Sequence, residues 1–276
     1  MTDAGVEFRI LGPIELLVGG RPVPLGGPKQ RTLLALLLLA EGRVVSVDRL
    51  IDELWGGRPP PSAVAALQVY VSGLRKGVGT RLRRSAGGYA LDVADGELDS
   101  AQFSAMITDA RTRLSDAPAQ SSTILAAALE LWRGDALAGS DDAAAVVGGR
   151  LRLLEQRMAA IEDRVAADLA LSRHALVLAE LGELVAANPT RERLGSLYML
   201  ALTRCGRASD ATEVYTRLCT VLRDQLAADP SAETTALAEA IARRDPTIDA
   251  PHSSSLPAPV CRFIGRRSEL LTEQSS

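Results

Sequence analysis

Four apolar residues, Leu67, Val71, Leu74 and Val78, recur at spacings of four, three and four, which places them on one face of a helix. They lie within Pro59–Tyr89. From Leu54 to Leu91 the chain has no Asp or Glu, yet it carries Arg58, Arg75, Lys76, Arg81, Arg83 and Arg84. A helix of this kind must lean on a core by its apolar stripe and turn an acid-free, cationic side outward. Cations at a helix C-terminus also suit its dipole, so the pattern by itself is compatible with a merely solvated face.

The helix predicts an outward face of Ala65, Val69, Ser72, Gly73 and Lys76, with Gln68 and Arg75 on its flank and Tyr70 on the other side. Such a face is narrow, with small residues at its centre, and a B-DNA major groove is wide enough for one helix. Thr80 to Arg84, Ser85-Ala86-Gly87-Gly88 and Tyr89 to Val93 then predict strand, glycine turn and strand. A helix followed by a hairpin with arginines on its first strand is the arrangement of a winged helix-turn-helix, in which the helix reads bases and the wing neutralises phosphates.

The upstream sequence fits the same plan. Val6 to Leu17, broken by Gly12-Pro13, and Arg21 to Leu25 predict a short antiparallel meander. Pro28 to Ala40 predicts a helix that opens on proline and stops before Gly42, and Ser46 is an N-cap for a second helix whose stripe is Leu50, Ile51, Leu54 and Trp55. Arg58-Pro59-Pro60-Pro61-Ser62 is a rigid connector into the basic helix.

Net charge is not an objection to a polyanion partner. The 276 residues sum to −3, but residues 1–97 hold 12 Lys and Arg against 10 Asp and Glu, a balance of +2 that leaves −5 for the remainder. The length allows two domains, each with its own core. The longest apolar run, Leu33 to Ala40, is too short to span a membrane, and the N-terminus has neither the basic start nor the apolar core of a secretion signal, so a cytoplasmic location is expected. Cys205, Cys219 and Cys261 form an odd set with no C-x-x-C spacing, which suggests neither a disulfide framework nor a zinc knuckle. No cofactor is expected.

The order strands, helix, helix, turn, helix, hairpin, together with the segment KQRTLLALLLLAEGRVVSVDRLIDELWGGRPPPSAVAALQVYVSGLRKGVG, resembles the DNA-binding domain of the Streptomyces antibiotic regulatory protein family, which is similar to the OmpR-type winged helix. LDSAQFSAMI, LAAALELWRGDAL, the run from Leu154 to Leu194 and YMLALTRCGRASDATEVYTRL resemble that family's bacterial transcriptional activation domain. The resemblance covers roughly nine tenths of the chain. It implies a mainly α protein with a small β component, divided as residues 1–97, 98–245 and a tail, 246–276. It also implies a non-enzymatic transcriptional activator of antibiotic or secondary-metabolite genes. Such an activator binds direct repeats of double-stranded DNA near the −35 element, as two protomers side by side, and recruits RNA polymerase through its sigma factor.

The second half has a signal of its own. Ser172 and Gly206 begin similar helices 34 residues apart, the tetratricopeptide period, with Leu181 opposite Tyr215 and Leu184 opposite Leu218. Asn188-Pro189 and Asp229-Pro230 supply turns, and Leu125 to Trp132 contributes an earlier pair. Residues 246–260 are rich in Pro and Ser and predict a flexible linker, and the Phe263-Ile264-Gly265-Arg266 stretch after it is similar to the opening of the nucleotide-binding module of larger family members. That similarity supports a rival, a helical-repeat scaffold or fragment of a nucleotide-switch ATPase regulator.

Carried onto this sequence, the resemblance assigns Gln68 and Val69 to base edges, Tyr70, Ser72, Arg75 and Lys76 to the DNA backbone, and Arg81, Arg83 and Arg84 to phosphates from the wing. Gly73 is a departure, because many relatives place there an arginine that reads a guanine. Asp141-Asp142 and Glu162-Asp163 read as solvated or partner-facing acids, since no histidine or nucleophile accompanies them.

Overall fold

The computed structural model describes residues 5–249 apart from Ala86. The chain opens with an antiparallel meander of β1 (Val6–Arg9), β2 (Glu15–Val18) and β3 (Arg21–Pro22), in which Val6 pairs with Val18 and Phe8 with Leu16. Gly19 and Gly20 turn β2 into β3 with φ of 58° and 73°, the two positive values that a tight hairpin of right-twisted strands requires.

Helix α1 (Pro28–Leu39) opens on proline at N1, where no N–H is missed. Thr32 through Leu38 are all buried, so α1 is apolar around its circumference, as a helix packed on several sides must be. After β4 (Val45–Ser46), α2 (Val47–Trp55) begins at Ser46, whose hydroxyl accepts from Arg49 N, and stops at left-handed Gly56. The basic helix is α3 (Ala63–Val78). A 3-10 turn, Gly79–Arg81, leads into β5 (Leu82–Ser85) and β6 (Gly88–Leu91). The second sheet has the order β4-β6-β5, which makes β5 and β6 the wing of a winged helix-turn-helix. The hairpin is tighter than the sequence predicts, because Ser85 and Gly88 already pair across it.

Seven helices follow: α4 (Asp99–Arg113), α5 (Pro118–Glu130), α6 (Ala144–Ala170), α7 (His174–Ala187), α8 (Glu192–Arg204), α9 (Ala208–Leu226) and α10 (Ala232–Ala242). The starts of α7 and α9 keep the 34-residue offset. Leu181 and Leu218 are buried and Leu184 and Tyr215 half-buried, as repeat packing positions should be. The protein is thus mainly helical with a small β component.

Two expectations need correction. The halves do not each enclose a core of their own. One continuous cluster joins Phe8, Ile10, Leu37 and Leu67 of the winged helix to Phe103, Leu125, Trp132 and Leu153 of the helical half. A second cluster begins only at Val165, in the last part of α6, and continues through α7, α8 and α9 to α10. Nor does a linker begin at Pro246. Pro246–Asp249 forms a 3-10 turn, Ile248 is buried in the second cluster, and Arg204 Nε donates to Ile248 O at 2.9 Å. The remaining linker, the Phe263-Ile264-Gly265-Arg266 stretch and Cys261 lie outside the described residues.

Polar groups fix the seam between the halves. The buried Asp99 carboxylate accepts from Ile10 N at 2.8 Å, Leu11 N at 3.0 Å and Arg133 Nη2 at 2.9 Å, while Arg133 Nη1 reaches Glu15 at 2.7 Å. Gly12, at φ 156°, lies so close to the segment between α5 and α6 that an added Cβ would stand 3.0 Å from Arg133 Cβ. On the other side α6 begins without a cap of its own, and Glu53 of α2 accepts from Ala145 N at 2.9 Å in its place.

The Glu162-Asp163 pair is also corrected, for both acids are buried and ion-paired. Arg191 and Arg193 reach Glu162 at 2.6 and 3.4 Å, and Arg111 and Arg193 reach Asp163 at 2.7 and 2.6 Å. Asp141 pairs with Lys29 at 3.2 Å and Asp142 with Arg150 at 3.0 Å.

Candidate nucleic-acid interface

Burial of Ala63, Leu67, Val71, Leu74 and Val78 fixes the rotation of α3. What that rotation exposes is Val64, Ala65, Gln68, Val69, Ser72, Arg75 and Lys76, a surface with no acidic side chain. Val69 is 67% exposed and Val64 52%, so two apolar side chains stand open to solvent on this helix. Gln68 and Ser72 stand beside Val69 and find no side-chain hydrogen bond among the described residues, so amide, hydroxyl and methyl groups are together open to solvent.

The predicted face is rotated slightly from the observed one. Gly73 is half-buried, and a Cβ there would meet Gln30 Nε2 of α1 at 2.7 Å. Gly77, one turn on, lies equally close to Leu16 and Val23 of the first sheet. Each glycine costs a helix roughly 1 kcal/mol relative to alanine, and here both permit α3 to seat against α1 and the β2–β3 ribbon. Gly73 is therefore at the edge of the open face, not at its centre, because α1 covers that side. No local pattern announces this, because the covering residue, Gln30, is 43 positions away.

Tyr70 lies in the seam between α2 and α3, stacked on Trp55 with ring centroids 6.4 Å apart and planes at 22°. Lys29 Nζ lies over the same Trp55 ring and donates to Leu54 O, so this cation holds α1 to α2 and to Asp141.

The cations divide into two groups. Lys76 of α3 and Arg84 of β5 are exposed and have no ion pair among the described residues, and the same is true of Arg58 in the connector. Arg75 is exposed but donates from Nε to Leu82 O at 3.2 Å, which ties α3 to the wing. Arg81 is half-buried and pairs with Glu97 at 2.5 Å, and Arg83 forks onto Asp92 through Nε and through Nη2 at 2.7 Å. Hydrogen bonding from Arg83 holds the Asp92 carboxyl below the usual carboxylate range. Both of these acids lie in the segment just after the wing, between β6 and α4.

Among the described residues, no group of three His, Cys, Asp or Glu side chains could hold a metal ion, and no helix is long and apolar enough to cross a membrane.

Both halves of the chain are similar to known proteins. Residues 20–86 match the family model for the C-terminal domain of transcriptional regulatory proteins, and residues 98–242, just over half of the chain, match that for the bacterial transcriptional activator domain. The regulatory protein AfsR of Streptomyces coelicolor is 38% identical over 96% of this chain, and the chain spans only 28% of that relative's length. The regulatory protein DnrI of Streptomyces peucetius is 36% identical, over 88% of this chain and 94% of its own. Among solved structures, Mycobacterium tuberculosis EmbR in complex with a low-affinity phosphopeptide superposes with a TM-score of 0.85 at 34% identity, over 91% of this chain and 69% of that one. With both domain models matched in this order and a relative of similar length aligned almost throughout, the chain belongs to the Streptomyces antibiotic regulatory protein family of transcriptional regulators.

Proposed function

We propose that this regulator is a sequence-specific activator that works in the cytoplasm and lays α3 in the major groove of a DNA direct repeat near a −35 element. Two protomers sit side by side there and recruit RNA polymerase through its sigma factor. Residues 1–97 form the reading unit and residues 98–245 the activation unit. Gln68 and Val69 meet base edges, the amide as paired donor and acceptor and the valine against a thymine methyl. Ser72, Arg75, Lys76 and Arg84 contact phosphates, and Arg81 and Arg83 contribute from the wing while retaining their carboxylates. Tyr70 supports the helix from its seam with Trp55 and turns its hydroxyl to the backbone.

The observation that carries this reading is the pairing of an acid-free, partly apolar helix face with two cations, Lys76 and Arg84, that have no ion pair among the described residues. Its test is the salt dependence of binding to a direct-repeat promoter fragment, followed by fluorescence anisotropy. Replacing Lys76 and Arg84 together by alanine removes two phosphate contacts and lowers the slope of log K against log salt by about 2. An unchanged slope and affinity would mean that this surface does not face DNA.

A further inference from the structure

We infer that Gln30, a residue of α1, is a specificity-determining residue that reaches the DNA across Gly73. The inference rests on the placement of α3 proposed above and adds a reader that α3 itself does not carry.

Gln30 is the third residue of α1 and half-buried. Its side chain makes no capping hydrogen bond to its own helix among the described residues. Instead its carboxamide lies in a slot between two glycines. A Cβ at Gly73 would stand 2.7 Å from Nε2 and 3.1 Å from Oε1, and a Cβ at Gly26 would collide with Oε1. Any other residue at either position would push the amide out. The two glycines leave room for the amide, which finds no hydrogen bond among the described residues.

A carboxamide has two donor hydrogens and an oxygen with two lone pairs. An amide without a protein partner leaves those groups for water or for a ligand, and a partly desolvated amide loses free energy unless something bonds to it. The slot opens where a ligand on the α3 face would lie. Ser72 precedes Gly73 and is exposed, Val69 and Lys76 are one turn away on either side, and Gly26, Gly27 and Pro28 around the mouth are exposed too. A glutamine amide suits the N6 and N7 edge of adenine through two parallel hydrogen bonds. Gly73 then has a positive role: by lacking a side chain it lets α1 present a group at that point of the reading surface.

Selection of binding sites from random duplexes, with the full chain, tests the inference. Wild type should prefer adenine at one position that Gln30→Ala no longer distinguishes, a loss of about tenfold to a hundredfold there with other positions and the salt slope kept. Gln30→Glu should move the preference at that position toward cytosine, whose N4 amine donates to a carboxylate, a change that a merely structural role would not produce. Gly73→Ala, which displaces the amide, should lose the same position, and combining it with Gln30→Ala should cost nothing further. Melting curves confirm that the variants fold. An unaltered preference in Gln30→Ala, or an equal loss on every sequence, overturns the inference while leaving the proposed function standing. A wild type that selects no sequence sinks both.

Discussion

Basic side chains are used in opposite ways in two regions of this molecule. On α3 and the outer strand of the wing, Lys76 and Arg84 stand in solvent without countercharge among the described residues. Along α6, by contrast, Arg111, Arg191 and Arg193 converge on Glu162 and Asp163, whose side chains are 3% and 2% exposed. The halves hold similar residue types, so local composition does not separate a binding surface from a structural joint. What separates them is where the countercharge comes from. Inside α6 the fold supplies it, and Lys76 and Arg84 find none among the described residues. Arg83 is intermediate, for it lies on the binding side yet is bonded to Asp92.

The comparison can be broken most severely at α6. Asp163→Ala leaves Arg193, a largely buried guanidinium, without its nearest acid, and breaking such a pair costs about 3–5 kcal/mol; denaturant unfolding should show that loss. On the open side the effect falls on binding and not on folding. Arg75→Ala should weaken binding on all DNA sequences alike and lower the salt slope by roughly 1, with some loosening of the wing because the bond to Leu82 O goes too. Asp92→Asn should do the reverse: Arg83 loses its internal partner, affinity rises several-fold and the slope steepens by about 1, readable in the same titration.

The smallest effect concerns acid. Arg191 holds the Glu155 carboxyl below its usual range through hydrogen bonding. A depressed carboxyl stabilises the folded state above its unfolded pKa, and that contribution is lost as pH falls through the lower, folded value. Glu155 is largely exposed, so screening limits the term to about 0.5 kcal/mol. Glu155→Gln should flatten the acid limb of the stability profile by that amount and leave neutral pH binding intact.

Much of the fold was legible because its signals are local. The 4-3-4 spacing from Leu67 to Val78, the Ser46 cap and the glycine turn of the wing each act within a few turns of chain, and the 34-residue offset shows as a repeated pattern in the sequence itself. What was not legible depends on distant partners. Gly73 reads as outward until Gln30 is placed against it, and Glu162-Asp163 reads as a solvated pair until Arg111, Arg191 and Arg193 arrive from 29 to 52 residues away. The shared core is of the same kind: nothing near Phe8 or Ile10 announces Phe103 or Trp132. For the candidate site, sequence identified the helix and the wing, while the rotation of the face and the carboxylates on Arg81 and Arg83 needed coordinates.

Helix α6 runs unbroken for 27 residues, roughly 40 Å at 1.5 Å per residue. Its first part completes the cluster that holds up α3 and its last part begins the cluster of the repeat helices. A single rod through both ends leaves no joint at which one could melt while the other survived, and calorimetry should record one heat-absorption peak for the whole chain, not a pair.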